Sequence, residues 1–202
     1  DVSPAGEQYS PRDVIELMLA QPVSRRRVFL DLWLRGALPL AAALAVGVMA
    51  PFIWQQQLPQ VGVGLVLALA GAAAVLMVIS HTLALIIALR FDDRVRALGV
   101  ALGIWLFAAV LWDGLVLVLA LVWAERPMEL PILVLLAANP VDLVRVLMLL
   151  GSDAAAMLGY TGAMVSRTLG TAAGRAGLGV LLAGWLLVPL WWAARRFVRK
   201  DF

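Results

Sequence analysis

A set of apolar runs too long for a soluble fold to cover constrains this chain more than any other feature. A bilayer core about 30 Å thick takes roughly 20 mostly apolar residues of helix to cross. Four stretches meet that need. Residues 36–54 carry no charge, and residues 61–89 are interrupted only by the polar trio Ser80-His81-Thr82. Residues 98–123 hold one charge, Asp113, and residues 176–194 hold none. A helix of this length in a soluble core keeps a polar face. Composition decides the point. The 202 residues are 63% hydrophobic and 14% charged, against about 45–50% and about 25% in soluble domains. The chain therefore reads as all-α and integral to the membrane, a polytopic helical bundle with four spans.

Tryptophans mark the ends of the runs: Trp54, Trp123, Trp191 and Trp192. The indole ring is apolar but its N–H wants a wet partner, so it settles at headgroup depth. Arginine and lysine set the orientation. Segment 1–35 carries Arg12, Arg25, Arg26, Arg27 and Arg35; the 90–96 loop carries Arg90, Arg94 and Arg96; the tail carries Arg195, Arg196, Arg199 and Lys200. These twelve fall on one side of the four-span scheme, against four on the other, all within 124–175. Positive charge is retained in the cytoplasm, so both ends of the chain are expected there. The same distribution argues against nucleic acid as a partner, because the arginines flank apolar runs and form no free basic face.

Segment 124–175 is then external or re-entrant, and 30–202 forms the transmembrane domain. The apolar run in 130–138 is too short to span, and Asn139-Pro140 stops it. A second short helix is expected over 140–150, with Asn139 as cap, Pro140 in the first turn and Asp142 at its positive end. Two short apolar helices meeting at a polar corner read as a hairpin dipping into the membrane. Residues 151–175, rich in Gly, Ala, Ser and Thr, read as a small external loop. Before the spans, Ser10-Pro11-Arg12-Asp13 opens an amphipathic helix that ends near Gln21, with Val14, Leu17 and Met18 on one face. Residues 1–29 thus form a cytoplasmic segment. The chain begins at Asp1 with no signal peptide, and reads as a fragment whose N-terminal part is missing.

Catalytic chemistry has no foothold. Cysteine is absent, His81 is the only histidine, and no G-x-x-x-x-G-K-S/T or H-E-x-x-H motif occurs. A non-enzymatic subunit with no cofactor or metal of its own is expected. Asp113 stands out, since a carboxylate inside a span costs about 2.5–3.5 kcal/mol. It reads either as a coupling or gating residue or as a structural hydrogen bond to another helix; no cation within the spans is available to it. His81 reads as a polar helix contact beside Ser80 and Thr82, with metal or proton binding the lesser alternative. Met148, Met157 and Met164 allow a thioether copper site, but methionine is ordinary in membrane helices. Asp142 and Arg145, three apart on one helix, either pair with each other or form an external gate with Asn139. Arg25, Arg26 and Arg27 either meet anionic lipid or enter a partner's acidic groove.

The order of these parts resembles a known family. Gly6-Glu7, followed by Glu16-Leu17-Met18-Leu19-Ala20-Gln21-Pro22-Val23-Ser24-Arg25-Arg26-Arg27, is similar to the cytoplasmic coupling helix of type-2 ABC exporter permeases. The stretch between Glu7 and Glu16 departs from that family's Gly-Thr-containing pattern. Residues 98–113 resemble a family span reading Leu-Gly-hydrophobic-Trp and ending near an aspartate. Ala138-Asn139-Pro140-Val141-Asp142-Leu143-Val144-Arg145 resembles an element of one branch, the permeases of nitrous-oxide-reductase maturation systems, which serve copper-site assembly.

The resemblance implies six spans in the complete protein and a homodimer with a second permease copy. It implies coupling to a cytoplasmic ATP-binding subunit, which holds ATP and Mg, through Glu7, Glu16, Leu17, Pro22, Ser24 and Arg25. It implies an external readout at Asn139, Pro140, Asp142 and Arg145 that meets a periplasmic accessory protein and a copper chaperone. Two other readings compete: a general type-2 exporter permease for a lipid, drug or polysaccharide, and a membrane anchor or scaffold with no ATPase.

Overall fold

The computed structural model describes residues 24–91, 93–123, 129–151 and 169–199. The amphipathic coupling helix expected before Pro22, with Glu7, Glu16, Leu17 and Pro22, lies outside the described residues. So do most of the expected external loop, Met157 and Met164.

Every described element is helical. Helix α1, Arg25–Trp54, runs through Pro39 and Pro51, as membrane helices can when neighbours satisfy the freed carbonyls. A short turn of helix, α2 (Leu58–Val61), leads to Gly62. Gly62 has φ of +87°, a left-handed value that a side chain resists, and it lets the chain reverse into α3, Val63–Arg90. Asp93 then accepts from the Val95 amide at 2.9 Å and starts the next span, Arg94–Val122. That span consists of α4 (Arg94–Leu106), a π-helical turn over Phe107–Leu111, and α5 (Trp112–Val122). Helices α6 (Glu129–Ala138) and α7 (Pro140–Gly151) follow, with a bend of 113° between Leu130–Ala138 and Pro140–Leu150. Helix α8, Ala172–Arg199, completes the chain. Thr171 caps it, its Oγ1 accepting from the Gly174 amide at 3.0 Å. A side chain at Gly174 would meet the Leu169 backbone at 2.6 Å, so only glycine permits that tight start.

Among the described residues, four helices are long and apolar enough to cross a membrane: Arg25–Trp54, Val63–Arg90, Arg94–Val122 and Ala172–Arg199. They match the four apolar runs but extend past them into the arginine-bearing flanks. At about 1.5 Å per residue, each is roughly 40–45 Å long, enough to carry its ends through the headgroup region.

Helix α3 organises the bundle, packing against α1, α4, α7 and α8. In lipid the apolar effect does not drive helices together, so close approach and polar links do. Both occur between α1 and α3. His81 lays its ring on Gly36, so that a Cβ there would clash with it. One turn away, the Trp33 indole donates to Thr82 Oγ1 at 2.9 Å, and that hydroxyl donates to Val78 O at 2.8 Å. Thr82 and His81 thus act at a helix contact, while Ser80 is exposed.

Two packed cores result. One joins Ile79 of α3 to Leu143, Val144 and Leu150 of α7 and to Leu178 and Leu182 of α8, with Met148 packed at its edge. The other joins Val28 and Phe29 of α1 to Ala193 and Phe197 of α8, with Leu85, Ile86 and Leu89 of α3 packed on it. Phe29 and Phe197 meet ring to ring at 5.6 Å. This second core gathers the start of α1 and the ends of α3 and α8, so the arginine-rich termini of all three lie at one end of the bundle. Arg25 donates to Val198 O at 3.3 Å there.

Candidate functional site

The corner between α6 and α7 is built from the cap outward. Asn139 is 2% exposed, and its Oδ1 accepts from the Val141 amide at 3.0 Å, satisfying one of the free donors of a helix start. Pro140 takes the first position, where no N–H is needed. The cap leaves the Asn139 amide nitrogen free to donate elsewhere. It donates at 2.8 Å to the carbonyl of Ala108 on the neighbouring span.

Ala108 lies in the π turn. There the Trp112 amide reaches back five residues to Phe107 O, one more than in an α-helix, and the widened turn opens carbonyls to outside donors. Two are used. Asn139 takes that of Ala108, and Arg145 Nη2 donates to that of Ala109 at 3.3 Å. Arg145 Nη1 bridges Asp113 at 2.7 and 2.9 Å and Asp142 at 3.3 Å. The side chains of Arg145 and Asp113 are each about half exposed, at 47% and 53%, whereas that of Asp142 is 17% exposed. The Trp112 indole N–H is buried in the same corner. On the other side of the corner, the Trp185 indole donates to Ala137 O at 2.9 Å and ties α8 to the end of α6.

The corner is therefore a polar clamp on the span Arg94–Val122. Ala108 is fourteen residues from either end of that span, about 21 Å along the axis, so the clamp holds its midpoint. One cation between two carboxylates leaves one formal negative charge. The clamp is a polar joint between α7 and the middle of the span, made of side-chain hydrogen bonds to π-turn carbonyls and an ion pair.

Of the sequence-derived site residues, the structure brings Asn139, Pro140, Asp142, Arg145 and Asp113 together. It corrects the reading of Asp113 as lacking a cation: Arg145 of α7, in the bent pair α6–α7, reaches it. Arg145 also meets both carboxylates at once, so pairing with Asp142 and gathering with Asn139 are not alternatives. His81 lies apart, between α1 and α3. Ser24 and Arg25 lie at the arginine-rich end, on the far side of the packed core from the clamp. Among the described residues no three of Asp, Glu and His gather as a metal-ligand set. The π turn was missed, since Phe107-Ala108-Ala109-Val110-Leu111 contains no proline or glycine to mark it.

Among the described residues, four helices long and apolar enough to cross a membrane, with a bent helix pair clamped to one of them, define a multi-pass membrane protein. The model of the family described as ABC-2 family transporter protein matches residues 12–202, and the chain belongs to that family. It is similar to the Probable ABC transporter permease protein NosY of Pseudomonas aeruginosa, at 34% identity over 148 residues, covering 69% of this chain and 53% of that protein. The chain thus spans about half the length of that relative.

Proposed function

We propose that the chain is the transmembrane subunit of an ATP-binding-cassette system that couples ATP hydrolysis on a separate cytoplasmic ATPase to a periplasmic partner, in copper-site maturation of nitrous oxide reductase. The clamp of Asn139 and Arg145 on the π turn carries this reading. It joins a hairpin to the middle of a span through side-chain hydrogen bonds and an ion pair, which suits a protein that must adopt two arrangements. Membership of the ABC-2 family and likeness to a NosY permease support it, as does the Asn139-Pro140-Val141-Asp142 element with Arg145.

In this mechanism the arginine-rich end faces the cytoplasm. Ser24 and Arg25 follow the coupling segment, whose residues Glu7, Glu16, Leu17 and Pro22 meet the ATPase. Two permease copies act together. ATP-driven closure favours one arrangement of the spans, and it shifts their equilibrium only by its differential affinity for the two. The hairpin follows because it is clamped to the moving span, and the accessory protein and copper chaperone respond on the periplasmic side.

The test replaces Arg145→Gln and Glu16→Lys separately in cells that make nitrous oxide reductase. Both variants should reach the membrane and co-purify the permease partner copy. Copper loading of the reductase should fall roughly 5–150-fold, the range of typical coupling energies. A fully copper-loaded reductase in either variant, or in cells lacking the chain, would remove the maturation role and leave a general exporter permease.

A further inference from the structure

We propose that the arginine-rich end of α8, with the end of α3, forms a binding site for the headgroup of an anionic phospholipid. A cleft of about 810 Å³ lies between the two helices, lined by Arg90, Arg195, Arg196, Arg199, Trp191 and Trp192. A second cleft of about 530 Å³ shares Trp191, Arg195 and Arg199 with it and adds Arg26 from α1. Among the described residues none of these five arginines pairs with a carboxylate. Two are held in place by aromatic stacking instead. The guanidinium carbon of Arg195 lies 3.7 Å from the Trp191 ring centre, and that of Arg196 lies 4.5 Å from the Trp192 ring centre. Each stack links residues four apart on one helix, one turn of spacing.

Stacking fixes the plane of a guanidinium while leaving its N–H edges open. Edges held in this way suit the bidentate grip of a phosphate oxygen pair. Positive charge concentrated here, with no carboxylate paired to it among the described residues, suits an anionic occupant, and basic pockets between membrane helices take phospholipid headgroups. The surface leading from the cleft selects a lipid over a free anion. Val180, Leu181, Leu187, Val188, Trp191 and Trp192 are exposed large apolar residues at helical spacing along α8. Gly184 lies between them, where a Cβ would meet open space. The result is an apolar track that runs from the arginines toward the middle of the membrane, where acyl chains lie. The proposal uses the membrane-spanning fold and no part of the maturation role.

The experiment is native mass spectrometry of the full chain purified in mild detergent, offered equal amounts of phosphatidylglycerol, cardiolipin and phosphatidylcholine. The wild-type chain should retain the two anionic lipids over phosphatidylcholine. The triple variant Arg195→Gln, Arg196→Gln, Arg199→Gln should lose that retention by roughly fivefold per arginine. Arg175→Gln, on the same helix at its other end, should keep it. If the triple variant fails to insert, Arg196→Gln alone carries the test with a roughly fivefold loss. Equal retention of phosphatidylcholine, unchanged occupancy in the variants, or displacement of lipid by inorganic phosphate would each overturn the assignment. Reductase maturation is not read in this experiment, so its failure leaves the proposed function standing.

Discussion

Arg145 and Asp113 face each other within a span, five residues past its midpoint at Ala108, and each side chain is about half exposed on the surface of the chain. Lipid cannot solvate such a pair. Intramembrane charges face a bundle interior or a water-filled cavity, so this flank of α5 meets water or protein in the working assembly. The pair also carries its own test. In Arg145→Met, Asp113 and Asp142 are left as two carboxylates with no cation between them, whereas the double variant Asp113→Leu, Arg145→Met removes most of the conflict. Stability of the four proteins in detergent, read by titrated unfolding, should give a coupling energy on the order of 1–2 kcal/mol. That is below the cost of breaking a fully buried pair, because both partners are half exposed. Additive effects would mean that the contact contributes nothing. The sequence displays Asp113, Asp142 and Arg145 as unusual residues, and the i,i+3 spacing of the last two is legible. That Arg145 crosses to Asp113 is not, because the pairing depends on the 113° bend that aims α7 at its neighbour.

At the scale of elements, the long helices were the most legible part, since a run of apolar residues has one stable backbone in lipid. Helix ends were less so. Basic residues at the flanks remain helical and extend each span beyond its apolar run, as at Arg25–Trp54 and Ala172–Arg199. The cap at Asn139 was legible from its residue type and from the proline after it. The π turn was not, because no residue type within it marks it and the side-chain donors that meet it, Asn139 and Arg145, come from far along the sequence. A π turn is equivalent to one residue inserted into an α-helix. Deleting Val110 should therefore let Phe107–Leu111 relax into α-helix while the flanking segments keep their faces. Helicity and membrane insertion should be retained. The Ala108 and Ala109 carbonyls would turn back into the helix, and the loss of two hydrogen bonds should lower stability by about 1–3 kcal/mol. Deleting Ala101, in the regular part of α4, swings the remainder of the span by about 100° and should be the more damaging change. Equal damage from the two deletions, measured by unfolding in detergent, would argue against the π turn as an adaptation to the clamp.

At the scale of the whole molecule, one relation orders everything else: the start of α1 and the ends of α3 and α8 share a core at the arginine-rich end, and the clamp lies beyond it toward the other. The alternation of arginine clusters along the chain already implied that arrangement, because electrostatic retention acts on each loop separately and needs no knowledge of packing. What it left out is how the helices touch, which depends on single small or polar residues such as Gly36, His81 and Thr82. Orientation itself can be tested without background, since the chain has no native cysteine. On the proposed orientation, Arg27→Cys, Arg94→Cys and Arg196→Cys, each made alone, should react with a membrane-impermeant maleimide only after the membrane is opened. Gln56→Cys, in the turn between α1 and α2, should react from the opposite side with the membrane intact. Labelling at Gln56→Cys and Arg27→Cys under the same condition would place both ends of α1 on one side, which a single crossing helix of 30 residues cannot do. Reversed labelling of all four would keep the bundle but turn the arginine-rich end outward. The lipid site would then lie in the outer leaflet, and Arg25 would lie on the wrong side to meet an ATPase.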